Sequence, residues 1–170
     1  MISFNTIIQK IKSVSQDSTI QTQKPRIGRL YTYMYNPKTK EKMPYYDIVP
    51  LVIPVSYTDG GFYGLNFHYL SLPERNKLLN IILPFSEKNV DVKKISVSYA
   101  QLSGLASGIW SPCCKRYLWS HIRTKIVSIP YKDWYEVIKL PVISFQKASA
   151  SDVYRQTKRM MKGKNDKVNS

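Results

Sequence analysis

The stretch from Gly28 to Leu70, GRLYTYMYNPKTKEKMPYYDIVPLVIPVSYTDGGFYGLNFHYL, constrains the fold more than any other part of this chain. Tyr31, Tyr33 and Tyr35 alternate with Leu30, Thr32 and Met34. Strand side chains point to opposite faces with period two, so the three tyrosines share one face. Asn36-Pro37-Lys38-Thr39-Lys40 reads as a turn, because Pro presets φ for a type I turn and Asn caps its entry. The run from Ile48 to Val55 is apolar on both faces yet carries Pro50 and Pro54, which predicts an edge strand or one broken by a bulge. Thr58-Asp59-Gly60-Gly61 closes a hairpin, and Phe62 to Leu70 is the expected returning strand with a bulge at Gly64. Together these predict a small twisted antiparallel, barrel-like sheet over residues 27–70, SH3-like or OB-like.

The flanks read differently. Ile2, Phe4, Ile7, Ile8 and Ile11 recur at helical spacing, and the polar run SQDSTIQTQKPR after them suggests a tether. Whether that helix docks on its own domain or on a partner stays open. Beyond residue 70 the pattern is helical. Ser71 to Pro73 open a helix with Leu78, Leu79, Ile82 and Leu83 as its stripe, and Pro84 ends it. Residues 86–98 read as a polar loop before another helix around Tyr99 to Leu105. Ser111-Pro112 is expected to start a helix through Ile126, with Cys114, Leu118 and Ile122 inward and Lys115, Trp119 and Arg123 as a separate stripe four apart. Ile129-Pro130 opens one more, with Trp134, Val137 and Ile138 inward. The expectation is an α+β protein: an N-terminal helix and tether over 1–26, a single domain over 27–150 with the sheet followed by a helical half, and a basic C-terminal helix with a frayed tail over 151–170.

Charge narrows the function. Lys and Arg number 26 against 11 acids in 170 residues, a formal net charge of +15. Such an excess favours nucleic acid, an anionic surface or an acidic protein. One candidate site is the segment of Lys115, Arg116, Arg123 and Lys125, interleaved with Tyr117, Trp119 and His121. Cations there would meet phosphates and an aromatic would stack on a base; a solvated charged face with packed aromatics is the plainer alternative. A second is the tail cluster of Arg155, Lys158, Arg159, Lys162, Lys164 and Lys167. A third is the turn with Lys38, Lys40 and Lys42. The tyrosine row suits a stacking platform, but cross-strand core packing is its commoner use.

Catalytic and metal chemistry find little support. His68 and His121 lack partners at metal-ligand or triad spacing, and the acids show no paired spacing for a two-metal nuclease. Cys113 and Cys114 are the only cysteines, and adjacent residues seldom close a disulfide. No cofactor is implied, and no window is apolar over the length of a membrane span. The expectation is a non-enzymatic binder.

The strings GRLYTYMYNPKTKEKMPYYD, GGFYGLNFHYL, SPCCKRYLWSHIRTKIVSIPYKDWYEVIKLPV and FQKASASDVY, in that order, resemble a family of small basic proteins of T4-like tailed phages. The resemblance covers residues 27–160, and those ahead of Gly28 do not clearly match. It is similar to the DNA end-protector type of virion protein, which would sit on packaged genome ends near the portal and shield injected ends from host exonuclease. It implies DNA and other phage virion proteins as partners, and the virion and host cytoplasm as locations. The other readings are a structural subunit of the neck, tail or baseplate that binds an acidic neighbour, and a nuclease-like protein.

Overall fold

The computed structural model describes residues 4–14, 20–22, 24–83 and 101–169. Its elements in chain order begin with α1 (Phe4–Val14), β1 (Ile20–Thr22), β2 (Tyr31–Thr32), β3 (Tyr46–Asp47), β4 (Leu51–Thr58), β5 (Gly61–Asn66) and α2 (Leu72–Ile82). After these come α3 (residues 101–107), β6 (Cys114–Leu118), β7 (Ile126–Ser128), α4 (Trp134–Ile138), β8 (Phe145–Gln146) and α5 (Ala150–Asn169). Short 3₁₀ turns at Lys40–Lys42, Phe67–Tyr69, Ser111–Cys113, Trp119–His121 and Tyr131–Asp133 join them.

The α+β class holds, but the sheet is larger than expected and open rather than closed into a barrel. It has six strands in the order β1-β7-β2-β4-β5-β6, all pairs antiparallel, and a second two-stranded sheet pairs β3 with β8. Asp59-Gly60 turns the β4–β5 hairpin, with Gly60 at φ 74° where a side chain would be strained. β4 is central, not an edge. Its bulge falls between Pro54 and Ser56, and Pro54 lies past the two residues that pair with β2, so its missing N–H breaks no ladder bond there. Gly64 is not bulged; it pairs with Pro54 and Lys115, and a Cβ there would stand 2.2 Å from Val52 Cγ1. The returning strand ends at Asn66, and Phe67–Tyr69 form a 3₁₀ turn.

The largest correction concerns residues 111–126. They form a 3₁₀ turn, β6, a second 3₁₀ turn and the start of β7 instead of one helix. Tyr117 lies opposite Phe62 and is buried, while its neighbour Arg116 lies opposite Tyr63 and is exposed. Period two satisfies those neighbours; a helical face would have buried Cys114, Leu118 and Ile122 instead, and none of the three is fully buried. The expected helical half is therefore mixed.

Two cores sandwich the sheet. Leu51, Ile53 and Val55 of β4 face an aliphatic core with Leu65, Leu78, Leu79, Ile82, Trp134 and Ile138. Val52 faces the other way, into a smaller core of Tyr31, Tyr33, Tyr35, Phe62, Tyr117 and Ile126. Each large side chain fully buried here contributes about 1.5–3 kcal/mol. α1 docks on the aliphatic side through Ile7 and Ile11, which settles its placement within this chain. α5 docks through Val153, Thr157 and Met161, spaced four apart, and runs to Asn169 rather than fraying after Lys162. None of the described helices is long and apolar enough to cross a membrane. The loop expected over 86–98, and part of the tether over 15–26, lie outside the described residues.

Candidate nucleic-acid interface

Aromatic packing fixes one end of the sheet. Tyr33 meets Tyr35, Phe62 and Tyr117 edge-on, with ring centroids 6.2, 6.3 and 5.8 Å apart. The tyrosine row is therefore core, not a stacking platform. Tyr31, Tyr33 and Tyr35 are 3%, 0% and 6% exposed. Burial raises the hydroxyl pKa of all three, Tyr33 most. The outer two hydroxyls are used: that of Tyr31 accepts from the Arg26 N–H at 2.8 Å, and that of Tyr35 from the Leu118 N–H at 2.9 Å.

Around this core the chain brings distant segments together. Tyr35 bridges Ile122, the Asn36 N–H donates to the His121 carbonyl (3.0 Å), and the Arg123 N–H donates to that of Met34 (2.8 Å). The turn carrying Lys38 thus lies against the segment carrying Arg123 and Lys125, and all three side chains are exposed. The Asp59-Gly60 hairpin tip joins the same edge. The Trp119 N–H donates to the Gly60 carbonyl (3.0 Å), and Arg116 Nη2 donates to that of Asp59 (2.9 Å). Trp119 is half-buried, with its ring 5.0 Å from Phe62.

The other sequence candidates fall elsewhere. Lys115 pairs with Gly64, folds inward and sets Nζ 4.3 Å from the Tyr69 ring centre. Burial lowers its ammonium pKa, so it is not part of the exposed rim. Lys40 is half-buried within a 3₁₀ turn beside exposed Lys42. Arg155, Lys158, Arg159 and Lys162 form a separate exposed face on α5, away from its docked residues at 153, 157 and 161.

Sequence spacing missed a buried polar cluster. Asp47 Oδ2 lies 2.8 Å from His68 Nδ1 and accepts from Asn66 Nδ2 (3.0 Å); Oδ1 accepts from Ser144 Oγ (2.5 Å) and from the Val49 N–H (3.0 Å). Burial alone would raise this carboxyl, but His68 and the bonds from His68, Ser144 and Asn66 outweigh it and hold it below its ordinary value. Asp, His and Ser do meet here, but not as a nucleophile triad. Serine and aspartate both approach the same ring nitrogen, and the serine proton goes to the carboxylate. The cluster ties β3, β5 and the chain before β8 together. Only its span of 97 residues between Asp47 and Ser144 hid it from the sequence.

The family model described as Phage T4 terminal DNA protecting protein matches residues 4–162. The chain belongs to that family. The match includes α1, which the sequence resemblance left out. This is a family of DNA-protecting proteins and not of enzymes. No curated protein and no solved structure matches the chain.

Proposed function

We propose that this protein binds the ends of linear phage DNA in the virion, and after injection in the host cytoplasm, as a non-enzymatic shield against exonucleases. The observation that carries the reading is the joining of the Asn36–Lys38 turn to the Trp119–Lys125 segment by backbone hydrogen bonds. That joint sets exposed Lys38, Arg116, Arg123 and Lys125 around one sheet end in a chain of net charge +15. These cations contact phosphates regardless of sequence. Trp119, supported from behind by Phe62, caps the terminal base pair by stacking. Lys40 and the α5 cations Arg155, Lys158, Arg159 and Lys162 extend the grip along the duplex, while Lys115 serves the core under it. Other virion proteins are its further partners.

The strand order supports SH3-like over OB-like connectivity for this open sheet. β2, β4, β5 and β6 form a meander, and β7 returns beside β2 after the 3₁₀ turn that holds Trp119.

Binding to a blunt linear duplex and to a closed circle of the same sequence, at two salt concentrations, tests the reading. Preference for the linear form, with log affinity falling linearly in log salt, is expected. Equal binding to both forms removes end recognition, and salt-independent or absent binding removes the DNA reading.

A further inference from the structure

Lys147 is the one non-glycine residue at positive φ (72°) among the described residues. L-residues enter that region only when their surroundings hold them there. Its surroundings are specific. The residues just before it, Phe145 and Gln146, pair with Asp47 and Tyr46, and α5 starts three residues after it. Its ammonium donates to the carbonyls of Lys40 (2.8 Å), Glu41 (3.3 Å) and Met43 (3.1 Å). Those carbonyls belong to the 3₁₀ turn Lys40–Lys42 and its C-cap Met43, and that of Lys40 also accepts the Met43 N–H (3.3 Å).

A lysine has three N–H donors, and here three carbonyls face them. Lys147 is exposed, yet its charge is turned toward the loop instead of outward. Of the lysines of that loop, Lys38 and Lys42 are exposed and Lys40 is half-buried. α5 leads away from the same joint with Arg155, Lys158, Arg159 and Lys162 on its open face. At 1.5 Å per residue, its 20 residues run about 30 Å, close to one turn of duplex DNA.

We infer that Lys147 is a positioning residue that locks the lysine loop to the foot of α5, so that loop and helix act as one phosphate-binding surface. It works without touching DNA. The inference rests on the DNA reading above and adds a coupling between Lys147 and Lys40, 107 residues apart in sequence.

The test compares the wild type with K147G, K38A/K42A and the triple variant, using a fluorescent blunt 30-base-pair duplex (about three helical turns). Glycine suits the positive φ, so K147G removes the side chain without straining the backbone, and an unchanged melting temperature confirms that it folds. Amide exchange at Lys42 and Met43 is the readout that does not involve DNA. Exchange should rise in K147G, and affinity should fall about tenfold, with a salt slope reduced by more than the ~0.9 carried by one phosphate contact. The triple variant should bind within about twofold of K38A/K42A, because a misplaced loop has little left to lose. Unchanged exchange overturns the inference. So does K147G binding within twofold of the wild type, or an effect that adds fully to K38A/K42A. Faster exchange in a protein whose wild type ignores DNA would keep the positioning role and remove the DNA reading.

Discussion

The two faces of the large sheet are built from different materials and carry different duties. The aliphatic face gathers helices α1, α2, α4 and α5 over branched side chains and holds most of the buried surface. The aromatic face is small, drawn from residues 31, 33, 35, 52, 62, 117 and 126, and lies directly under the basic rim. Aliphatic side chains fill space from any direction, whereas rings that meet edge-on hold one another at set angles. The larger core supplies stability and the smaller one supplies a stiff bed for the rim.

The sharpest way to break that division is to delete a large side chain on each side. Phe62→Ala should cost about 3–5 kcal/mol and Ile53→Ala about 2–5 kcal/mol in denaturant unfolding. Only Phe62→Ala should also weaken end binding per folded molecule, because Trp119 then loses its support. An equal loss of binding in Ile53→Ala would dissolve the distinction.

The Asp47 cluster on the aliphatic side predicts a pH effect. Its carboxyl lies below the ordinary 3.8 when folded, so its contribution is full above that value and is lost as pH falls through the lower folded value. Asp47→Asn should cost about 3 kcal/mol near neutrality and flatten the stability profile below pH 3.8. An unchanged acid limb would show that other carboxylates set it.

At the rim, Trp119→Ala should weaken binding to a duplex end by about 1–3 kcal/mol, the worth of one stacked base, while binding to a closed circle is little changed. The smallest effect separates two neighbouring tyrosines. Tyr33 carries a buried hydroxyl with no hydrogen-bond partner, so Tyr33→Phe should be neutral or slightly stabilising. Tyr35→Phe should cost about 1 kcal/mol for the bond to Leu118. Thermal melts of the pair decide it.

Much of the local structure was legible. Asp59-Gly60, the alternating tyrosines, the α2 stripe and the i, i+4 pattern of α5 each announce an element through short-range rules. Residues 114–118 did not, because Lys115, Trp119 and Arg123 fall at helical spacing by coincidence. What makes them a strand is the partner β5, 50 residues back in round terms. The basic rim was half legible: its cations could be named, but only the pairing of Tyr35 with Ile122 shows which of them meet. The pairing of β6 with β5, which sets Lys115 opposite Gly64 and over the Tyr69 ring, turns that lysine away from the rim. Lys147 gave no signal, since nothing in a sequence marks a lysine whose ammonium turns back on its own chain.

The hydroxyl of Tyr35 has a meaning beyond its small energy. β6 is an outer strand of an open sheet, and such an edge is a template on which another chain can add. Leu118, at the end of β6, already gives its N–H to a side chain from across the sheet. A tyrosine thus does part of what a closing strand would do, by occupying a seat on the border. Wherever copies of this chain are crowded together, a blunted border keeps contact from becoming fibre growth.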